Sequence, residues 1–175
     1  MIKIKIESIN GININKKLCN KLFNEEKSEI TFKAWSLLNE LLIEENIDLL
    51  NEDIFYNEFG KPYLLSKKIF FNISHSKSLI AIIISDKECG IDIQFIDYSK
   101  DHTKYVNKLL SIEELEQYKI QDDKISYFYK QWSKKEAYFK YIGTGIKLKN
   151  LNIEVDNIKT EEITINDEKY VLSYL

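Results

Sequence analysis

The sequence contains no arginine, so all 25 of its basic side chains are lysines. Arginine can hold a phosphate through two parallel hydrogen bonds, whereas a lysine ammonium group acts as a point charge. Any phosphate recognition by this chain must therefore use ammonium groups and backbone N–H donors. The formal net charge of -3 also argues against a general nucleic-acid binder, because such proteins carry an excess of positive charge.

Cysteine, proline and glycine are scarce as well. With one proline and five glycines, no stretch has the composition of a linker. The two cysteines, Cys19 and Cys89, lack the spacing of a metal site and are interpreted as reduced thiols of a cytoplasmic protein. The longest apolar run, residues 79–84, is too short to span a bilayer, and residues 1–6 alternate like a strand rather than a signal peptide. The composition therefore indicates a soluble protein with no membrane partner.

Hydrophobic periodicity predicts an α+β fold. Apolar residues recur at helical spacing within residues 28–45, which gives that segment one apolar stripe. Further helices are predicted at residues 105–110, 112–118 and 125–141, and strands at residues 2–6, 12–14, 53–57, 69–73, 79–85, 90–96, 152–155, 162–165 and 169–174. The order of these elements predicts two halves, each with a long helix packed on a small antiparallel sheet.

One carboxylate lies in the strand predicted at residues 90–96. Alternate residues of a strand share a face, so Ile91 and Ile93 point one way while Asp92 and Gln94 point the other. A carboxylate between two isoleucines, just after a tight turn, is well positioned to bind a cation. An edge strand with a solvated Asp92 explains the same pattern, and this short segment alone favours that simpler interpretation.

A second carboxylate lies in the helix predicted at residues 125–141. Trp132, Glu136 and Lys140 follow one another at a spacing of four, so they share one helix face. Burying a carboxylate beside an aromatic side chain is costly unless the carboxylate is paired or binds a metal. Lys140 could supply that pairing, and the local sequence does not decide between an ion pair and a metal site.

Polar side chains follow the strand predicted at residues 69–73. Ser74, His75 and Ser76 form a predicted loop whose hydroxyl and imidazole groups suit phosphate binding. A lone histidine is, however, more often a structural hydrogen-bonding group. Lysines near the first long helix and before the only proline are usually solvated when considered singly. These lysines are Lys27, Lys33 and Lys61.

Four segments, taken together and in order, resemble the 4′-phosphopantetheinyl transferases of the surfactin-synthetase-activating type. They are residues 60–62 (Gly-Lys-Pro), 71–76 (Phe-Asn-Ile-Ser-His-Ser), 90–93 (Gly-Ile-Asp-Ile) and 132–140 (Trp-Ser-Lys-Lys-Glu-Ala-Tyr-Phe-Lys). Residues 143–146, Gly-Thr-Gly-Ile, are also similar to the smaller holo-acyl-carrier-protein synthases. The resemblance covers roughly half of the chain, and four motifs in order are far more specific than one.

The resemblance implies an enzyme that transfers the 4′-phosphopantetheine arm of coenzyme A to a serine of an apo carrier protein. It implies Mg2+ as cofactor and 3′,5′-adenosine bisphosphate as the leaving product. Asp92 and Glu136 would bind the metal, and Glu136, directly or through a water, would be the base for the serine hydroxyl. Lys140 would help to neutralise the developing charge. The implied coenzyme A contacts are Lys61, Ser74, His75, Lys135 and Lys140, with Lys27 or Lys33 in place of an arginine that is common in the family.

The same resemblance implies how the carrier protein binds. Residues 96–118 would receive it, with Lys100, Lys104 and Lys108 facing the acidic surface that carriers usually present. Glu114 matches a glutamate found in the family between the two metal motifs. Members of this type typically act as monomers built from two similar halves, which the resemblance implies are residues 1–88 and 89–175 here.

Three departures from the family pattern leave an alternative open. Gln94 stands where many members have a second acidic residue, so a third metal ligand would bring no charge. The usual arginine near the first long helix is missing, and little follows Tyr174 where larger members add a strand. The alternative is a coenzyme-A-binding module of the same fold with impaired catalysis, and intact Asp92, Glu136 and Lys140 argue against it.

Overall fold

The computed structural model describes residues 1–66, 68–145 and 151–175. The chain forms two compact units, Met1–Cys89 and Gly90–Leu175. Each unit combines helices with an antiparallel sheet, so the predicted α+β class is confirmed. No helix in these ranges has both the length and the apolar character that crossing a membrane requires. Residue 146, the last of the Gly-Thr-Gly-Ile segment, lies outside the described residues.

The elements of the first unit are β1 (Ile2–Ser8), α1 (Lys16–Leu22), α2 (Glu29–Ile43), β2 (Ile54–Tyr56), β3 (Pro62–Leu64), β4 (Phe70–Ser76) and β5 (Leu79–Ser85). They form a three-stranded antiparallel sheet in the order β1-β5-β4 and a separate hairpin of β2 and β3. All seven residues of the central strand β5 are buried, which explains why its sequence is a nearly continuous apolar run rather than an alternating one.

Helix α2 forms much of the first core. Ser28 caps its start by accepting a hydrogen bond from the Thr31 backbone N–H at 3.2 Å. Its apolar stripe buries Leu38 and Leu42 completely. Burying one such side chain contributes about 2 kcal/mol, so the hydrophobic effect accounts for both the helix and its packing.

The elements of the second unit are β6 (Ile91–Phe95), α3 (Thr103–Leu109), α4 (Ile112–Ile120), α5 (Lys124–Ile142), β7 (Lys159–Ile165) and β8 (Glu168–Tyr174). The strands form a three-stranded antiparallel sheet in the order β6-β8-β7, and the long helix α5 packs on it. Helix α5 ends at Gly143, whose φ of 69° is the left-handed cap that glycine adopts most readily.

Helix α5 passes very close to the start of strand β6. A Cβ built on Gly90 would lie 2.2 Å from the Ala137 carbonyl oxygen and 2.7 Å from the Tyr141 nitrogen. No side chain fits in that space, so the crossing requires glycine. The close approach brings Asp92 of β6 beside the helix that carries Glu136.

Two predicted strands and one predicted loop are wrong. Residues 12–14 and 152–155 alternate as strands do, but neither pairs with any strand in the described part of the chain. Ile12 is buried in the apolar core of the first unit, and Ile153, half-buried, packs against the apolar core of the second, because an alternating pattern reports burial and not the presence of a partner strand. Helix α1, capped by Asn15, was not predicted from the sequence.

The residues predicted as a loop, 74–76, belong to strand β4. Ser74 lies opposite Ala81 and His75 lies opposite Ile80. The chain turns only afterwards, at Lys77, whose φ is 52°. The pleat therefore buries Ser74 and exposes His75.

Candidate active site

The carboxylate of Asp92 is buried in the second unit, where the residue is only 1% exposed. Lys140 of α5 donates a hydrogen bond to its Oδ1 at 2.7 Å, and the Gln94 amide donates to its Oδ2 at 3.0 Å. The ammonium group compensates a negative charge that would otherwise be costly to bury. Asp92 is therefore not the solvated edge-strand residue that its local sequence favoured.

Glu136 lies on α5 one turn before Lys140 and is half-buried. Its pKa is raised to about 7, mainly because burial penalises the charged carboxylate. The charge of Asp92 raises this pKa further, and the charge of Lys140 opposes the rise. Lys140 thus pairs with Asp92, and Asp92 lies close enough for its charge to raise the pKa of Glu136.

These side chains have the donor chemistry of a divalent-cation site. Two carboxylates held together in buried surroundings repel each other, and one ammonium group neutralises only one of them. Magnesium prefers oxygen ligands and retains several waters, so Asp92 and Glu136 fit it. Among the residues that the structure describes, no three or more His, Cys, Asp or Glu side chains cluster as a metal site. Further oxygen ligands would have to come from the Gln94 amide, water or a phosphate.

Lys135 precedes Glu136 in the sequence but has other neighbours. Its side chain is 0% exposed, and its ammonium group donates to the Leu109 carbonyl at 2.6 Å and to the Glu114 carboxylate at 2.5 Å. Burial lowers the pKa of Lys135, and the hydrogen bond from Lys135 to Glu114 opposes that effect. The resemblance implied a contact between Lys135 and pyrophosphate, whereas here the ammonium group binds protein acceptors.

The first unit contains a cavity of about 850 Å³ next to the start of α2. Two of the predicted coenzyme A contacts, Lys27 and His75, line it. Its wall is largely apolar, which is usual for a small-molecule site with a few polar groups. The apolar and aromatic lining residues are Leu22, Phe23, Ile30, Ala34, Trp35, Tyr56, Pro62 and Ile73.

The charged groups of this cavity are exposed. Lys27 pairs with Glu25, and the exposed fractions of these side chains are 38% and 74%. The hydrogen bond from Lys27 lowers the pKa of Glu25. The cavity therefore contains an acidic group next to the lysine that was predicted to contact phosphate.

The three other coenzyme A contacts predicted in the first unit do not line the cavity. Lys33 forms an ion pair with Glu29 at 2.9 Å along α2. The Lys61 ammonium group donates to the Glu88 carboxylate at 2.9 Å and to the Cys89 carbonyl at 3.3 Å. The third, Ser74, is buried in strand β4.

A groove of about 610 Å³ lies in the second unit next to the carboxylates. Gln94, which donates to Asp92, is one of its lining residues, and the His102 ring stacks on Phe128 in its wall with 4.9 Å between ring centroids. Two of the predicted carrier-facing lysines line it and are exposed, whereas the third, Lys108, is exposed but does not line it. The remaining lining residues are Lys100, Asp101, Lys104, Tyr105, Tyr129 and Trp132.

Sequence reasoning missed the aromatic wall of the cavity and the role of Gly90. Trp35 lies next to the apolar stripe of the first long helix, so its burial could have been expected, but its proximity to Tyr56 depends on the tertiary fold. Gly90 was recognised only as the first residue of the Gly-Ile-Asp-Ile motif, and its close packing against α5 was not predicted. A single glycine before a charged strand residue is the signal that could have indicated a close helix crossing.

Comparisons with known proteins show which proteins the chain is similar to. Residues 88–174 match the family model described as the 4'-phosphopantetheinyl transferase superfamily. The chain is 34% identical over 142 residues to the 4'-phosphopantetheinyl transferase gsp of Aneurinibacillus migulanus, a match that covers 77% of this chain and 59% of that protein.

Two further relatives come from Bacillus subtilis. One, named 4'-phosphopantetheinyl transferase, is 30% identical over 145 residues, and the other, 4'-phosphopantetheinyl transferase Sfp of strain 168, is 28% identical over 141 residues. Each match covers 74% of this chain and 59% of the relative, so the chain spans less than two thirds of the length of these proteins. The matches identify the chain as a member of the 4′-phosphopantetheinyl transferase superfamily.

Proposed function

We propose that this chain transfers the 4′-phosphopantetheine arm of coenzyme A to a serine of an apo carrier protein. The observation that carries the proposal is the pair of carboxylates, Asp92 and Glu136, held beside Lys140 in the second unit. The names of the relatives support the same activity. We also propose that the protein works in the cytoplasm as a monomer, without nucleic acid or membrane partners.

The cavity of the first unit is the proposed site for the nucleotide end of coenzyme A. Trp35 and Tyr56 offer aromatic surface for an adenine ring, while Lys27 and His75 offer cationic or donor groups for phosphate. The start of α2 adjoins the cavity through Thr31, and the dipole of a helix favours anions at its start. We propose that Lys33, Lys61 and Ser74 support the structure around this site and do not contact coenzyme A from the cavity wall.

The carboxylates of the second unit are the proposed magnesium ligands, with the Gln94 amide oxygen as a third. Bound there, magnesium would neutralise charge on the diphosphate of coenzyme A. Glu136 is the proposed base, because both oxygens of Asp92 already accept hydrogen bonds from Lys140 and Gln94. Lys140 holds the Asp92 carboxylate in one orientation and contributes positive charge near the reacting phosphate.

In the proposed reaction the serine oxygen bonds to the phosphorus that carries the pantetheine arm. The bond between that phosphorus and the bridging oxygen breaks, and 3′,5′-adenosine bisphosphate leaves with that oxygen. Glu136 takes the serine proton. Positioning and charge neutralisation, rather than covalent chemistry by the protein, account for the acceleration.

The groove of the second unit is the proposed approach for the carrier protein. It adjoins Asp92 through Gln94, and its exposed lysines, Lys100 and Lys104, suit an acidic partner surface. Lys108 extends the same basic character outside the groove. The serine of the carrier would reach Glu136 along this path.

A second candidate function is coenzyme A binding without transfer. It is favoured by the side chain of Gln94, whose NH2 group donates to Asp92 and so directs its oxygen away from that carboxylate. Gln94 must turn its amide to ligate a metal, and it brings no charge when it does so. In the transferase, Gln94→Glu would leave activity intact or lower the magnesium requirement.

Mass spectrometry of a carrier protein distinguishes the two candidates. The chain is incubated with magnesium, coenzyme A and several apo carriers, and the carriers are examined for the added arm. A carrier with its serine replaced by alanine and a reaction with a metal chelator are the controls. We expect mass gain only with serine and magnesium present. No gain on any carrier, together with measurable coenzyme A binding, would establish the binding module instead.

A further inference from the structure

The buried ion pair between Lys135 and Glu114 adjoins the candidate catalytic residue Glu136. The Lys135 side chain is fully buried and that of Glu114 is 13% exposed. A buried ammonium group is costly unless its hydrogen bonds are satisfied, and here Leu109 and Glu114 both accept from it. The pair therefore has one favourable arrangement and little freedom to depart from it.

The ion pair connects three helices. Leu109 is the last residue of α3, and Glu114 lies in the first turn of α4. The Glu114 oxygen that binds Lys135 also accepts from the Ser111 N–H at 2.8 Å, and the Ser111 hydroxyl accepts from the Glu114 N–H at 3.1 Å. This reciprocal capping box fixes the start of α4. Lys135 thus ties α5 to the junction between α3 and α4.

Fixing Lys135 also fixes its neighbour on the same helix. Successive residues of an α-helix are about 100° apart around its axis, so anchoring one side chain sets the rotation at which the next one projects. Glu136 and Lys140 project from α5 toward Asp92, and a shift of α5 would change all of those distances together. A displacement of about 1 Å at a catalytic group can lower a rate by up to a hundredfold.

We infer that Lys135 is a positioning residue, which together with Glu114 sets the rotation of helix α5 and thereby the position of Glu136, and that it does not bind phosphate itself. This inference rests on the proposed transferase function. It differs from the direct pyrophosphate contact that the family resemblance implies for Lys135.

A double-mutant cycle separates positioning from phosphate binding. The variants are Lys135→Met, Glu114→Gln and the two combined; the amide oxygen introduced by Glu114→Gln can still accept from the Ser111 N–H. If the pair positions Glu136, each single change should lower kcat by roughly tenfold or more and leave KM for coenzyme A within about twofold. The kcat of the double variant should then be no lower than that of the poorer single variant. A rise in KM for coenzyme A with Lys135→Met, with a harmless Glu114→Gln, would overturn the inference.

Lys134→Met is the matched control, because Lys134 is a neighbouring, half-buried lysine of the same helix. It should leave kcat and KM close to wild type. All assays are run well below each variant's unfolding temperature, on protein checked by circular dichroism. A lowered unfolding temperature with an unchanged kcat per folded molecule would mean that the pair only stabilises the fold, and would also overturn the inference.

Magnesium-induced stabilisation gives a readout that does not require transfer. If Glu136 is displaced, the shift in unfolding temperature on adding magnesium should shrink in Lys135→Met and Glu114→Gln, but not in Lys134→Met. An undiminished shift in both variants would count against positioning. Wild-type protein that transfers nothing would count against the proposed function, while the magnesium shifts would still test the ion pair.

Discussion

The two units hold their charged groups in opposite ways. In the cavity of the first unit, the Lys27–Glu25 pair lies at the surface, and both side chains are more than a third exposed. In the second unit, Asp92 and Lys135 are almost wholly buried and each has a specific partner. Water screens exposed charges but not buried ones. The same kinds of side chain should therefore tolerate substitution in the first unit and resist it in the second.

The largest effect is expected from Glu136→Gln. The amide keeps the shape of the side chain but can neither accept the serine proton nor provide a charged metal ligand. We expect transfer to fall by roughly a thousandfold or more, measured as the initial rate of carrier modification. The protein should remain folded, since the change removes a buried charge rather than a contact.

Glu161→Gln is the control for this prediction, because Glu161 is an exposed glutamate of strand β7 in the same unit. It should leave the rate unchanged. Near-normal turnover by Glu136→Gln would show that Glu136 is not the base. It would also show that this glutamate is no more sensitive to substitution than an exposed one.

Gly90→Ala tests whether close packing brings the carboxylates together. The added methyl group would lie 2.2 Å from the Ala137 carbonyl oxygen, so β6 and α5 must separate. We expect a loss of about 3 kcal/mol in the free energy of unfolding and a lower transfer rate in the protein that folds. Urea denaturation measures the first effect and the carrier assay measures the second.

Gly11→Ala supplies the comparison from the first unit. A Cβ there would lie 3.0 Å from Glu7 Oε1, the end of a flexible side chain that can move away. We expect a change within about 0.5 kcal/mol. Equal losses in the free energy of unfolding for Gly90→Ala and Gly11→Ala would show that β6 and α5 are not packed unusually closely at Gly90.

The sequence was sufficient for the fold class and for the long helices, whereas the candidate carboxylates, Asp92 and Glu136, came from the family resemblance. Helical spacing depends on the chain alone, so α2 and α5 could be located to within a few residues, and Glu136 and Lys140 could be assigned to one face. The segments 12–14 and 152–155 failed because a strand also needs a partner, and alternation carries no information about one.

Partners of long side chains could not be predicted either. Lys61, Lys135 and Lys140 were all interpreted as phosphate contacts, but only the fold decides which carboxylate each ammonium group reaches. Lys140 binds Asp92, 48 residues away in the chain, and Lys135 binds Glu114, 21 residues away. Local spacing offered Glu136 as a partner for Lys140, with an ion pair and a metal site both left open, because only the neighbour on the same helix is visible in the sequence.

The raised pKa of Glu136 in the second unit should appear in the pH dependence of stability. The pKa of Glu136 is about 7 in the folded chain, above its ordinary value near 4.5. The folded state therefore holds a proton that the unfolded state releases between those values. Stability of the metal-free protein should fall as pH rises from about 4.5 to 7, by on the order of 2 kcal/mol, and then level off.

Urea denaturation in a metal chelator at pH 5 and pH 8 measures this slope. Glu136→Gln should flatten it and should be more stable than wild type at pH 8, whereas Glu161→Gln should keep the wild-type slope. Adding magnesium at pH 8 should stabilise wild type more than the Glu136 variant. A wild-type slope that the Glu136 variant retains would assign the titration to another group.

The smallest effect is expected at the exposed pair of the first unit. Glu25 lies in the cavity next to Lys27 and repels any phosphate bound there, so Glu25→Gln should tighten coenzyme A binding, by roughly twofold at low salt because solvent screens the charge. Lys27→Met should weaken binding, and both effects should fade at high salt.

Calorimetric titration with coenzyme A measures these changes in affinity, and Glu26→Gln is the matched control, since Glu26 is exposed but does not line the cavity. If Glu25→Gln changed affinity by a hundredfold, or changed it equally at all salt concentrations, the charge would have to be shielded from water, and the contrast between an exposed first site and a buried second one would fail.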